Sequence, residues 1–592
     1  MATETSEQPP EMVKTTEQSD SSENVTISES SLEIKLKLFQ ERVERMSAWE
    51  VFLVWFALAL SNLCVFLDEG IISTAIPRIT DKFQSLGDVG WYGSAYNITL
   101  SSFQLVYGRL FNEFPLKVTF LAALAIFEIG SLVCATSPNS VAFIIGRAIA
   151  GLGAAGLQSG NFALLAAALP PKKLPLYMGA LGMVYGIGAV LGPVMGGIIT
   201  NSYLTWRWCF YINLPIAAPT AVATIFLIKV PPTDKGNKPL LKKIYNLDPL
   251  AVVILLPCII SLILALQFGG ALYSWNDGRT IGCFVAFGVL LLVFLVEQWW
   301  MGDGALVPPR LVRNPVVLFG ALYAFCFDSA FYSLVYYMPL WFQAVEGVSA
   351  EDSGIRYLPL VLSLVMTIFL GGWAVTKVGY FQPFMLLGTA LLATGAGLLS
   401  TLVPSSGKGS WISYQILAGL GIGVATQQAV VAIQAILSGD DVNIGIALAI
   451  FTQCFGPTIF ITVSQAVFEG TLTSGLNDHL PGLISPSQIK NLGATQLRDL
   501  VSPPQLPIVL EIYSYALSRT YLTASIMAAL SGPLIFCMGW RKLPSPPEES
   551  GEYQGGNNEA NTEANTEAKS DGGETSLKAE AAKEATSITA SQ

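Results

Sequence analysis

Along most of its 592 residues the chain repeats one pattern, a run of apolar residues, a short polar interval, then another apolar run. Fourteen such windows begin near residues 50, 90, 117, 141, 177, 207, 249, 280, 316, 354, 382, 411, 444 and 517. Each is about 20 residues long, enough for a helix to cross a hydrocarbon core of roughly 30 Å. None shows the alternation of a barrel strand, and backbone groups in lipid have to be satisfied within the segment. The pattern therefore predicts fourteen transmembrane helices in an all-α polytopic membrane protein.

The polar stretches set the topology. Lys35, Lys37, Arg42 and Arg45 precede span 1, Lys172 and Lys173 follow span 4, and Lys229, Lys235, Lys238, Lys242 and Lys243 follow span 6. Arg310 and Arg313 follow span 8, Lys377 follows span 10, and Arg541 and Lys542 follow span 14. With fourteen crossings these loops share one side, which places both termini in the cytoplasm. Arg78, Lys82, Lys408 and Lys490 lie on the other side, so the asymmetry is a bias.

The expected organisation is a cytoplasmic head (1–47), a six-helix bundle (48–230), a loop with an inserted pair, spans 7 and 8 (231–311), a second bundle (312–542) with a long outer loop (469–512), and a tail (543–592). The head is polar, with no cleavable signal peptide, and its first 31 residues read as disordered. Leu32, Leu36, Phe39, Val43 and Met46 then recur at helical spacing and predict an amphipathic helix on the inner leaflet.

Composition agrees with lipid as the solvent: 52% of residues are hydrophobic and 12% charged, against roughly 25% charged in a soluble domain. The net charge of −10 belongs mostly to the tail, where ten acids face three lysines, so it says little about substrate. Eight cysteines stand singly without CxxC spacing and read as small buried hydrophobes. The single histidine, His479, falls in the outer loop, which argues against a metal centre or a histidine relay. No phosphate-binding loop or hydrolase motif occurs, so neither an enzyme, an ATP-driven pump nor a cofactor is expected. Asn24 and Asn97 carry N-x-[ST] patterns, but one is expected in the cytoplasm and the other inside span 2, so neither is expected to be glycosylated.

An internal repeat is visible. "AGLG" occurs at 150–153 and 418–421, an offset of 268 (418 − 150). A Gly-Pro pair occurs at 192–193 and 456–457, and glycines end spans 2 and 10 at Gly108 and Gly372, both at an offset of 264 (456 − 192; 372 − 108). Spans 1 to 6 thus correspond to spans 9 to 14.

Span 5 spends poor helix formers inside an apolar segment: Gly182, Gly186, Gly192, Gly196 and Gly197, with Pro193 among them. Missing side chains let neighbouring backbones approach, and the proline removes an intrahelical hydrogen bond. Ordinary helix packing explains this, and so does a hinge-like contact between bundles that rock.

The stretch "GALGMVYGIGAVLGPVMGG" (179–197) resembles the antiporter motif of drug:proton exporters of the major facilitator superfamily. "LDEGIISTAIPRIT" (67–80) is similar to the span 1 signature of the fourteen-span, tetracycline-resistance (TCR/Tet) branch, "IIGRAIAGLGAAG" (144–156) to its span 4 motif, and "WRWCFYINLPI" (206–216) to the start of its span 6. "DVGWYGSAY", "FEIGSLVCATSPNS", "YYMPLWFQAVEGVSAEDSGIRYLP" and "SYQILAGLGIGVATQQ" resemble that branch's fungal toxin and multidrug efflux subgroup. The resemblance covers roughly residues 48–540 and implies the major facilitator fold, two six-helix bundles plus two inserted helices. Two departures stand out. The loop after span 2 reads "GRLFNEFPLK", with Asn112 in place of the family's acid and Glu113 beside it, and the span 1 signature carries Glu69 and Gly70 where a neutral residue and Thr are usual.

Placing Asp or Arg near a helix centre costs roughly 2.5 to 3.5 kcal/mol on insertion scales, so such groups need a role or a partner. The candidates for proton coupling are Asp68, Glu69, Glu128, Arg147 and Asp328. A carboxylate that moves between a dry cavity and an arginine neighbour takes up and releases a proton. Asp68 or Glu69 is the expected carrier, Arg147 its modulator and Asp328 the second choice; a bridge from Arg147 that only fixes packing is the alternative, and Glu128 suits packing or transport equally. Substrate contact is expected from Phe103, Gln104, Gln158, Tyr332, Tyr336, Gln427 and Gln453, which mix aromatic faces with amides and suit a bulky amphiphile.

The expected function is proton-coupled export of such a molecule by alternating access. The alternatives are proton-coupled uptake or vacuolar transport of a siderophore or basic amino acid, and a non-transporting receptor or scaffold. Expected partners are a small-molecule substrate, protons and the lipid bilayer, with no nucleic acid. A monomer is expected, in the plasma membrane or alternatively the vacuolar membrane.

Overall fold

The computed structural model of the chain describes residues 47–83, 89–169, 174–228, 239–269, 273, 275–348, 350–439, 441–480 and 504–542. The predicted head helix, the tail and most of the outer loop lie outside these residues. Fourteen helices of 14 residues or more occur among them, and no β-strand. They are α1 (Ala48–Phe83), α2 (Val89–Glu113), α3 (Leu116–Thr136), α4 (Ser140–Ala168), α5 (Leu174–Asn201), α6 (Asn213–Phe226), α7 (Pro249–Phe268), α8 (Gly278–Met301), α9 (Pro315–Trp341), α10 (Ala350–Val378), α11 (Gln382–Leu399), α12 (Lys408–Ala425), α13 (Asp441–His479) and α14 (Leu506–Cys537). A break at Thr426 and Gln427 separates α12 from its continuation, Gln428–Ile436.

Among the described residues, twelve helical segments are long and apolar enough to cross a membrane. The two that fall short are α2, and α5 with only a shorter apolar stretch, Leu176–Gly188. Both coincide with expected spans; α2 carries Gly and polar residues that lower its hydropathy, while α5 is as apolar as its neighbours.

Helix starts follow from capping side chains. Ser47 and Glu50 form a reciprocal box before α1, Ser47 N–H donating to Glu50 Oε2 at 2.9 Å and Glu50 N–H to Ser47 Oγ at 3.2 Å. Asn139 accepts from Ala142 N–H at 2.9 Å before α4, and Asn314 from Val316 N–H at 3.1 Å before α9.

Apolar side chains gather in several clusters, the two largest centred one on each half, the first of them also taking in Val430, Ile433, Ile446 and Ile450 of the second half. Leu58, Phe111, Phe120, Phe127 and Leu164 anchor the first half, and Tyr323, Tyr337, Trp341, Met385 and Tyr521 the second. The inserted helix α7 packs on α2 and α13 through Leu255, Ile259 and Ile263 against Ile98, Leu105, Leu448 and Phe451. Only 17% of the α8 span is buried, against 72% of the span built on α12, so α8 is peripheral.

The repeat is reproduced in the packing. Gly130 of α3 meets Ala150 of α4, and Gly395 of α11 meets Ala418 of α12. Gly151 sits on Tyr96 and Thr99 of α2, and Gly419 sits on Leu360 and Ser363 of α10. Polar contacts repeat too: Arg147 Nε donates to the Tyr92 carbonyl at 2.9 Å, while at the corresponding place Gln415 Nε2 donates to the Arg356 carbonyl at 3.1 Å.

The loops after α2, α6, α8 and α12 meet at one end. Arg109 donates to the carbonyls of Asp303 (3.0 Å) and Ala305, Asn246 Nδ2 to Glu113 Oε1 (2.9 Å), and Asn443 Nδ2 to Asn112 Oδ1 (2.8 Å). Arg310 forks onto Asp441 (2.6 and 2.8 Å) and pairs with Asp303 (2.8 Å). The loop after span 2, which lacks the family's acid, thus reaches the second half through a neutral amide pair.

Candidate functional site

Two polar constellations lie inside the helices. The first belongs to the first half. Arg147 of α4 and Asp68 of α1 form an ion pair at 2.5 Å with both side chains 0% exposed. Burial of this kind demands that the remaining valences be filled; neighbours on α2 and α6 supply most of the partners, and Nη2 of Arg147 is left without a hydrogen bond. Tyr92 gives its carbonyl to Arg147 Nε, and Asn213 Nδ2 donates to Asp68 Oδ1 at 3.3 Å and to Ser131 Oγ at 3.1 Å. The guanidinium also stacks over the Tyr96 ring, 4.4 Å from its centroid. One turn and more toward the start of α1, Ser61 Oγ donates to Asn161 Oδ1 at 2.6 Å, and Asn161 Nδ2 to Asn62 Oδ1 at 3.4 Å, so α1 and α4 are stitched by polar groups over two turns.

The second constellation lines a cleft between the halves. Its cavity volume is about 60 Å³. Asn62, Phe66, Gln158 and Phe162 line it from the first half, and Asp328, Phe331, Tyr332, Thr426, Gln427, Gln453 and Cys454 from the second. The break after α12 makes this wall polar: an interrupted helix frees carbonyls inside the membrane, where another donor has to take them up. Gln453 Nε2 donates to the Thr426 carbonyl at 3.1 Å, and Thr426 Oγ1 donates to Asp328 Oδ1 at 3.1 Å. The Cys454 thiol donates to Gln158 Oε1 at 3.5 Å across the halves.

Of the expected substrate residues, Gln158, Tyr332, Gln427 and Gln453 line the cleft, together with Asp328. Gln104 is buried elsewhere, its Nε2 spent on Ser159 Oγ at 2.6 Å. Phe103 packs against the first half's apolar cluster, and Tyr336 is 57% exposed, edge-on to Tyr337. Glu69 is half-buried and stays outside the ion pair with Arg147. Glu128 is half-buried too, and neither of its carboxyl oxygens has a hydrogen-bond partner. Sequence reasoning missed Asn62, Phe66, Phe162, Phe331, Thr426 and Cys454. Cys454, expected as a small hydrophobe, is a polar member of the cleft wall, and Cys537 is exposed rather than buried. No cluster among the described residues has metal-ligating spacing.

The glycines of α5 divide between two neighbours. A Cβ at Gly192 would come within 2.8 Å of Gly70 Cα in α1, so the unusual Gly70 of the span 1 signature is the partner of this contact. Gly182 lies against the Gln427 side chain (2.8 Å), and Gly186 against Leu364 and Val365 of α10 (3.1 and 3.2 Å), so these two face the other half. Gly197 has no atom within 4 Å that a side chain would meet. In the second half, Gly456, beside Pro457 of α13, packs on Phe325 and Ser329 of α9, as Gly192 packs on α1.

A sequence profile of the Major Facilitator Superfamily matches residues 58–461. The chain belongs to this superfamily. Among similar proteins, the MFS-type efflux pump MFS1 of Arthroderma benhamiae is 44% identical over 504 residues, covering 85% of this chain and 94% of that protein. The aspyridones efflux protein of Neocamarosporium betae is 43% identical over 477 residues, covering 80% and 84%. The MFS-type transporter astH of Aspergillus oryzae is 42% identical over 501 residues, covering 85% and 88%. Among solved structures, the proton:xylose symporter XylE aligns with a TM-score of 0.55 at 13% identity, covering 83% of this chain and 96% of that one. The human organic anion transporter MFSD10 aligns with a TM-score of 0.51 at 14% identity, covering 82% and 98%. At such identities the likeness establishes the fold, two bundles that face one another. As a major facilitator the chain is a multi-pass membrane transporter of a small molecule, not an enzyme.

Proposed function

We propose that this major facilitator exports a bulky amphiphilic molecule, such as a fungal secondary metabolite, toxin or antifungal drug, in exchange for protons. Fungal relatives named as efflux pumps, matching over most of their length, support the direction of transport. All fourteen helices cross the membrane in this reading, with the Arg109–Asp303–Arg310 end in the cytoplasm. The units are a first bundle (48–230), the inserted pair with its loop (231–311) and a second bundle (312–542). One chain encloses the cleft and works as a monomer in the plasma membrane. Cargo occupies the cleft, which the halves open to each side in turn.

The observation that carries the coupling is the Asp68–Arg147 pair, sealed at 0% exposure inside one half. Protonation of Asp68 removes the opposite charge and leaves Arg147 to its carbonyl and ring contacts. The α1 and α4 helices then lose the strongest bond between them, and the first half changes its stance toward the second. Glu69, one position on, is the alternate acceptor, and Arg147 sets which form is favoured. Asp68→Asn keeps the shape of the side chain while removing the titration. In cells deprived of their own pumps, ethidium retained to the level of cells lacking the transporter, with normal amounts of the variant in the membrane, is the expected result. Undiminished ethidium efflux by that variant would remove Asp68 from the mechanism.

A further inference from the structure

A groove away from the cleft runs between the chain that follows α11 and the first turns of α14. It holds about 340 Å³, and Thr401, Val403, Pro404, Glu511, Tyr515 and Arg519 stand in its walls. Its floor is fixed: Ser514 Oγ donates to the Leu402 carbonyl at 3.1 Å and accepts from Trp341 Nε1 at 3.2 Å. The helix α13 begins at the Arg310–Asp441 end and α14 returns toward it, so the groove lies at the other end, the outer one in the export reading.

The groove opens toward lipid. Tyr515, Leu522, Ile526 and Leu530 recur at helical spacing on α14 and are 37 to 53% exposed, and Arg519 falls in the same series. Counted back from Cys537, Arg519 lies about 27 Å along α14, close to the roughly 30 Å of a hydrocarbon core, so it stands near the level of phospholipid phosphates. An arginine on a lipid-facing surface is costly unless its head reaches the polar boundary or an anion. The Arg519 head turns outward, its Nη2 donating to Tyr515 Oη and its plane lying over the Tyr515 ring, 4.4 Å from the centroid. Among the described residues no carboxylate pairs with it. Glu511, two turns further out on the same wall, is exposed and pairs with none of the described residues either. Two opposite charges thus share one groove without meeting.

We propose that this groove binds one zwitterionic phospholipid of the outer leaflet, with the phosphate on Arg519 and Tyr515 and the ammonium on Glu511. A guanidinium fork and a phenol suit the oxygens of a phosphodiester, and the carboxylate nearer the water meets the amine. The acyl chains then cover Leu522, Ile526 and Leu530. The charges of the lining sum to zero, one Arg against one Glu. An anionic lipid would leave Glu511 beside a like charge, and a free phosphate would leave the apolar stripe bare. The inference stands apart from the cleft and from the direction of transport.

The test is native mass spectrometry of the purified full-length protein in detergent, offered equal amounts of palmitoyl-oleoyl phosphatidylethanolamine and phosphatidylglycerol. The expected result is one phosphatidylethanolamine retained per protein, about tenfold more tightly than phosphatidylglycerol. Arg519→Gln should weaken both lipids by about tenfold, and Arg519→Lys should restore part of the loss. Glu511→Gln, at an exposed position, should remove the preference while phosphatidylglycerol binds at least as tightly as before. Phosphatidylethanolamine should also raise the unfolding temperature of the unsubstituted protein and not that of Arg519→Gln. Equal retention of the two lipids by the unsubstituted protein, or retention unchanged by Arg519→Gln, overturns the inference. So does a preference that survives Glu511→Gln, or displacement of the lipid by millimolar inorganic phosphate.

Discussion

Asp68 and Arg147 show how far a single residue can be read before its partner is known. Each stands out in the sequence because a charge inside an apolar span is expensive, but their pairing depends on where α1 and α4 meet, and no spacing in the chain encodes that. The same holds for Gln104, whose amide suited substrate contact and is instead spent on Ser159, and for Thr426, an inconspicuous residue until the helix break beside it turns its carbonyl and hydroxyl into parts of the cleft wall. The pair makes a quantitative prediction. Removing one partner of a buried ion pair leaves an uncompensated charge, at a cost of about 3 to 5 kcal/mol. Arg147→Gln and Asp68→Leu should therefore each lower the unfolding temperature in detergent, and the double variant should be more stable than the sum of the single losses implies. Strict additivity in that cycle would mean that the 2.5 Å contact contributes nothing.

At the scale of elements, the apolar windows located the helices well because lipid leaves the backbone few other conformations. The weakest window, α2, is one whose face serves another helix, through Gly108 against Ala447 of α13. The break after α12 was not legible, since nothing in "ATQQAVV" forbids a continuous helix. The inserted pair brings a feature of its own. Asp248, in a left-handed conformation (φ 55°) that Asp tolerates, sits at the start of α7. Its buried carboxylate accepts from Ala251 N–H (3.2 Å), Gln298 Nε2 (3.1 Å) and Leu306 N–H (2.9 Å), tying α7 to α8 and to the chain beyond it. Arg310, at the same end, is about half exposed where it grips Asp303 and Asp441. Exposed ion pairs contribute about 0 to 1 kcal/mol, whereas hydrogen bonds to a buried charge contribute about 1.5 to 3 each. Asp248→Ala should thus lower thermal stability by several degrees and expose α7 to protease, while Arg310→Ala should change stability hardly at all. A larger loss from Arg310→Ala would reverse the order of importance assigned here to the two contacts.

For the whole molecule, three short matches along the sequence were enough to see the duplication, because close helix packing keeps its glycines: Gly151 and Gly153 in α4 recur as Gly419 and Gly421 in α12, against corresponding partners. What the repeat did not show is its asymmetry. Arg147 in the first half corresponds to Gln415 in the second, and both donate to a matching carbonyl, so a buried ion pair at this place belongs to the first half. The open carboxylate, Asp328, belongs to the second, on the cleft. One half thus carries a sealed ion pair and the other a carboxylate on the cleft between the halves. Purified protein in pyranine-loaded lipid vesicles, given ethidium on the other side of an imposed pH gradient, tests the proposed exchange of proton for cargo most directly. The account predicts that ethidium moves against its own gradient, with opposite movement of protons, and that both fluxes vanish in Asp68→Asn. Ethidium movement indifferent to the pH gradient, or proton flux unaltered by that variant, would contradict it.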